Sequence, residues 1–384
     1  MNPFPDAVKV SAKALAIPLW VGVLVLPFAG FGSMVRIVAA AAAAIILWKI
    51  MGLDAVKELR LRLKARFPVT PAVWPSFSLF LKSPVVPALL ALPLIVVPLF
   101  INDYYRDIMT LTGVYIVLAL GLNVVVGQAG LLNLGYVAFY AIGAYTYAIL
   151  STSYGVSFWP GMALGALAAA VFASILGAPI LKLRGDYFAI VTLGLGEITR
   201  IVLNNWDAMT GGPNGIAKIG RPVIAGYTLH TTLDFYYLIL IMVIAAIFAM
   251  RRLIASRIGR AWIAIREDET AAEAMGINTF RLKLLAFVIG STCAGAAGVF
   301  FAAKMAFVSP ESFTFFESVL ILCMVVLGGM GSIPGIILGA LLLIALPEIF
   351  RDFQDYRMLA FGAALVLMMV FRPQGLLGTV AKTD

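Results

Sequence analysis

The chain predicts an all-α fold, a polytopic integral membrane protein with about 10–12 transmembrane or half-membrane helices. Three observations carry that expectation. Hydrophobic residues make up 62% of the 384 positions and charged residues only 12%, where soluble domains carry about 25% charged residues. Apolar runs recur at lengths near the roughly 17–25 residues that cross about 30 Å of hydrocarbon as a helix. The Lys and Arg residues behind the formal charge of +9 gather in the connections between those runs, which is the pattern of a membrane protein and not of a nucleic-acid-binding one.

Taken in order, the first runs are 14–30 and 34–51. Lys9 and Lys13 precede the first as they would in a signal peptide, but it has no convincing small-residue cleavage site and more spans follow, so it reads as a span. A basic connection at 52–83 then passes into the Pro-rich FPVTPAVWPSFSLFLKSP (67–84), a linker or surface-hugging piece. Residues 1–83 are therefore expected to form an N-terminal helix pair with its linker, and residues 84–384 the core. Core spans follow at 85–101, 108–126, 136–152, 158–181, 187–203 and 235–250, then 284–303, an interrupted stretch 316–349, and 358–371. A long hydrophilic loop, 251–283, separates the sixth core span from the seventh.

Cations orient the chain. Six cations lie in 52–83 and seven in 251–283, which places both in the cytoplasm. An even number of spans separates them, and twelve spans in all put both termini on that side. The connections at 102–107, 152–157 and 204–234 then lie outside, where Trp159, Trp206, Tyr227, Tyr236 and Tyr237 suit an aromatic belt.

Glycine interrupts the pattern three times. GLNVVVGQAGLLNLGYVAFYAIGAY (121–145) places Asn123, Gly127, Gln128, Gly130 and Asn133 where a continuous helix would cross, with Tyr136 and Tyr140 just beyond. Either the helix is broken there, with free backbone groups for a substrate, or the small residues allow close packing. LGGMGSIPGIILGALLL (327–343) sets Gly331, Gly335 and Gly339 at small-xxx-small spacing, a packing seam, while Gly328, Gly329 and Pro334 argue for a bend. TGGPNGI (210–216) has turn chemistry and reads as a structured exterior loop, or as a docking surface for an external protein.

Chemistry-bearing residues are scarce. Glu197 and Arg200, three apart on one helical face, are expected to pair, and Glu197 is the one acid weighed as an intramembrane coupling charge. His230 lies in an exterior loop and offers no relay. Cys293 and Cys323 sit inside apolar runs as small buried hydrophobes, so no metal site or cofactor is expected. The chain also lacks the G-x-x-x-x-G-K-[ST] phosphate loop. Energy must come from other subunits, or the protein is a passive channel or facilitator; a membrane-embedded enzyme has no catalytic cluster behind it.

The loop 251–283 favours the first. Asp268 can cap a short helix that Gly276 stops, or Thr270 and Glu273 can start it later as a capping box. Either way a helix bearing Ala271, Ala272, Ala274 and Met275 is offered to a groove on a partner, with Arg266 just before it.

From about Tyr104 to Leu377 the chain resembles the LivM-type permease subunits of ABC importers for branched-chain amino acids. The resemblance lies in the 121–145 segment, LKLRGDYFAIVTLGLGEITRIVLNNW (181–206), TGGPNGI, IGRAWIAIREDETAAEAMGI (258–277), VSPESFTFFESVLILCMVVLGGMGS (308–332) and FRPQGLL (371–377). It implies a permease that is not itself an enzyme, set in the bacterial inner membrane among lipids. Its partners would be a second permease of the LivH type, two ATP-binding subunits and a periplasmic amino-acid-binding protein. ATP binding would push on the loop around Arg266, Asp268, Thr270, Ala271, Ala272, Glu273 and Gly276. The family's E-A-A-x-x-x-G motif aligns with Thr270, Ala271, Ala272 and Gly276, so the leading acid is missing. Asn123, Gly127, Gln128, Gly130, Asn133, Tyr136 and Tyr140 are the expected pathway residues for leucine, isoleucine and valine. Permeases for other amino acids, urea or short amides resemble the same family.

Overall fold

The computed structural model describes residues 94–183, 185–224, 226–349 and 375–376, all within the second of the chain's two units, Leu92–Asp384. The predicted runs at 14–30, 34–51 and 358–371, the linker at 67–84 and the start of the 85–101 run lie outside the described residues. What is described is all-α apart from four two-residue strands. Five helices are long and apolar enough to cross a membrane, and a shorter apolar one, Ile333–Ala345, accompanies them.

Helix α1 (Asp103–Asn123) runs into a five-residue π-helical turn, Val124–Gln128, so the two make one 26-residue span. Helices α2 (Val137–Tyr154), α3 (Phe158–Ile180) and α4 (Asp186–Asn205) follow, then α5 (Thr232–Ala255). The hydrophilic loop contains α6 (Arg257–Glu267) and α7 (Glu269–Ala274). Helix α8 (Thr279–Met305) returns across the bundle, and α9 (Phe315–Gly328) and α10 (Ile333–Ile349) form a hairpin.

Direct contacts define two ends. At one, Lys304 on α8 pairs with Asp107 on α1 at 3.0 Å, the Trp159 indole donates to the Val223 carbonyl, and Tyr236 and Tyr237 donate to the carbonyls of Leu94 and Ile95. Here too the TGGPNGI loop is folded. Thr210 is buried and donates to the Leu203 carbonyl, and strand β1 (Ile216–Ala217) pairs antiparallel with β4 (Phe307–Val308). A second ribbon joins β2 (Val223–Ile224) to β3 (Tyr227–Thr228). At the opposite end lie Gln128, α6, α7 and the start of α8, where the Trp262 indole donates to the Leu282 carbonyl at 2.7 Å.

Helix α8 is the axis of the bundle because small residues let its neighbours approach. A Cβ added to Gly143 of α2 would stand 2.2 Å from the Gly295 carbonyl oxygen, and one on Gly298 would stand 2.1 Å from that of Tyr140. Such approach is how membrane helices gain dispersion energy where lipid leaves no hydrophobic drive between them. Around the seam, Phe139 and Phe188 pack edge-on against buried Phe287. Large apolar side chains such as Leu167, Ile175 and Phe248 point outward instead. Gly143→Val should therefore lower the unfolding free energy of the detergent-solubilised protein by about 1–3 kcal/mol or more, whereas Leu167→Ala should change it by less than about 0.5 kcal/mol. Denaturant unfolding of both variants checks this.

Candidate functional site

Two glycine breaks meet at the Arg266 end and close one another. The first follows the π turn. Gly130 adopts φ +73°, a left-handed conformation that glycine tolerates best, and lets the chain leave α1. The second falls between α9 and α10, where Gly329 (φ +107°) and Gly331 (φ +87°) turn the chain and Pro334 occupies the first turn of α10. Asn123 accepts from the Gly331 N–H at 2.8 Å, and Gln128 donates to the Gly331 carbonyl at 3.3 Å. Thus the amides of one break satisfy the backbone of the other. Gly331 stands in the turn, outside the helical stripe that its spacing suggested. The seam is instead made by Gly328 against Gly335, with Gly339 against the Met324 carbonyl.

The structure brings Asn123, Gly127, Gln128 and Gly130 together and places Asn133, Tyr136 and Tyr140 higher in the bundle. All five of their amide and tyrosine side chains are buried within this chain, Tyr140 the least at 6% exposure. Asn133 accepts from the Gly135 N–H at 3.0 Å, and Tyr136 donates to the Gly290 carbonyl at 2.8 Å. Tyr140 packs against Phe301 and Phe313.

Arg266 joins this region to the hydrophilic loop. Its guanidinium donates to the Gly127 carbonyl, and its stem lies so close to Gly130 that a Cβ there would come within 2.8 Å of Cγ. Arg266 is the penultimate residue of α6, a helix that was legible only as Ile258, Trp262 and Ile265 at helical spacing behind the Ser256 cap. Those side chains turn inward, and Trp262 is fully buried.

Of the two starts open to the next helix, the structure takes Asp268, whose carboxylate accepts from the Ala271 N–H at 3.0 Å, a cap worth about 1 kcal/mol. Gly276 ends it at φ +82°, with its own N–H on the Glu273 carbonyl and the Ile277 N–H on that of Ala272, the two bonds of a Schellman stop. Glu273 is not a capping residue; it accepts from the Thr279 hydroxyl at 2.6 Å. Glu269 pairs with Lys283 at 2.5 Å. Ala272 is buried beneath α7, so the outward face consists of Thr270, Ala271, Ala274, Met275 and Gly276, with Met275 83% exposed.

Glu197 and Arg200 form an ion pair at 3.0 Å, each about one third exposed, a geometry that contributes little on its own. Glu197 is not the only acid within an apolar span. Glu317, in the first turn of α9, accepts from the Tyr115 hydroxyl at 2.6 Å. Its position beside the aromatic FTFF sequence, at the edge of an apolar stretch, masked it in the sequence.

The family model for permease components of branched-chain amino acid transport systems matches residues 104–371, from α1 through α10 and beyond. The high-affinity branched-chain amino acid transport system permease protein LivM of Escherichia coli is 49% identical over 303 residues, which are 73% of this chain and 71% of that protein. LivM of Salmonella typhimurium is 48% identical with the same coverage. The corresponding LivH permease of Escherichia coli is 28% identical over 73% of this chain and 96% of its own length. No solved structure matches. Helices of membrane-crossing length, two mutually closed glycine breaks and a match over most of the chain make this a multi-pass membrane protein that belongs to the family of branched-chain amino acid transport permeases.

Proposed function

We propose that the chain is one of two permease subunits of an ATP-driven ABC importer and forms half of the pathway for leucine, isoleucine and valine. The observation that carries this reading is the α6–α7 platform, an exposed small-residue face fixed from beneath. Trp262, Glu269 and Glu273 tie it to Leu282, Lys283 and Thr279 at the start of α8, and Arg266 ties it to the first glycine break. A push on Ala271, Ala274 and Met275 therefore moves the central helix and the break as one body. Two ATP-binding subunits supply that push, one on each permease.

The relatives named LivM and LivH support a second, LivH-type permease as partner, with a periplasmic amino-acid-binding protein delivering the cargo. The Arg266 end carries Arg251, Arg252, Arg257, Arg260, Arg281 and Lys283, which supports a cytoplasmic location for it in the inner membrane. Both termini would then share that side. Asn123, Gly127, Gln128, Gly130 and Asn133 form the wall of the pathway at the breaks, with Tyr136 and Tyr140 above them; their internal hydrogen bonds exchange as access alternates.

Met275→Glu places a charge on the docking face without touching the core. It should prevent the ATP-binding subunits from co-purifying and lower leucine uptake by about tenfold or more; unchanged co-purification would remove the platform from the interface. Arg266→Ala keeps that face intact but cuts the tie to Gly127. Leucine carried per ATP hydrolysed in proteoliposomes should fall by about tenfold, the value of one charge-assisted hydrogen bond, while the ATP-binding subunits stay bound.

A further inference from the structure

Among the described residues, the Glu317 carboxylate lies at membrane depth without a cationic partner. Tyr115 lies 12 residues after Asp103 and 13 before Gln128 in a 26-residue span, so at 1.5 Å per residue its Cα stands about 18–20 Å from either end. Glu317 accepts from the Tyr115 hydroxyl at 2.6 Å and shares its depth. A second contact fixes the level independently. Ser318, the next residue, accepts from the Val137 N–H at 3.0 Å, and the adjoining Tyr136 donates to Gly290, about 17 Å along α8. Helix α9 thus begins near the middle of the bundle and not at its edge.

An ionised side chain at that level is costly and is kept where it faces a water-filled path or a bundle interior. Among the described residues no cation pairs with Glu317, and the two lysines of α8, Lys283 and Lys304, are held by Glu269 and Asp107. Glu317 and Tyr115 are both partly exposed. The chain reaches it through 306–314, which contains only a two-residue strand and one 3-10 turn. Non-helical backbone at such depth is tolerated where protein surrounds it or where it lines a cavity. Phe313, on that segment, is buried with its ring edge-on to Tyr140, 5.1 Å between centroids.

On the transport reading above, we infer that Glu317 and Tyr115 form a mid-membrane station for the α-ammonium group of the amino-acid cargo. The carboxylate supplies the charge and the Tyr115 hydroxyl orients it. Such a station admits a zwitterion and repels an anion.

The test uses the complete transporter in proteoliposomes, with labelled leucine and ATP hydrolysis measured together. Glu317→Gln should lower leucine carried per ATP by about tenfold, Tyr115→Phe by less, and Glu317→Asp should restore much of the loss. An unchanged ratio in Glu317→Gln would overturn the station. So would loss of the second permease from purified Glu317→Gln complexes, which would make the carboxylate an interface ion pair. Alkalinisation of the medium during leucine uptake, abolished in Glu317→Gln, would overturn it in favour of a proton carrier. Wild-type vesicles that hydrolyse ATP but carry no leucine would instead sink the transport reading itself, and the station with it.

Discussion

Within a bilayer no water is available to take up a free N–H or carbonyl, so every interruption of a helix must be closed by the protein itself. That constraint governs the described structure. Gly331 has both backbone groups engaged, its N–H by Asn123 and its carbonyl by Gln128, and the Gly127 carbonyl is engaged by Arg266. Each break borrows its hydrogen bonds from elements far away in sequence. Neither can move without disturbing the other, and both are tied to a loop that lies beyond the bundle.

This arrangement gives the permease a mechanical logic. Most of the helices are held by small-residue seams that resist deformation, because a single added methyl would collide with backbone, as at Gly143 and Gly298. Packed cores of this kind shift as bodies and do not flex continuously. Movement is then confined to the places where glycine and proline already interrupt the helices. The platform of α6 and α7 sits directly against one of them, with buried Trp262 and Ala272 as its footing.

Surroundings also separate Glu197 from Glu317. Glu197 has its own arginine one turn away and is partly solvated, which makes it self-contained. Among the described residues Glu317 has a tyrosine hydroxyl and no cation beside it. A carboxylate within a membrane is costly unless it is paired or faces a bundle interior or a water-filled cavity.

Much was legible in the chain alone. Composition and run length determined the class, because a helix crossing hydrocarbon must be both long and apolar. Gly130 and Gly329 announced breaks because few other residues accept those backbones, and Asp268 and Gly276 marked a helix because capping chemistry is local. The sequence could not decide which of two starts α7 uses, that Ala272 faces inward, or that Gly331 leaves its stripe to meet Asn123 208 positions away. Nor could it show Glu317 at mid-depth, since its depth is set by where α9 begins. Local rules determine where helices start, stop and break. Which buried polar group answers which orphaned backbone atom is decided only when distant segments are packed together.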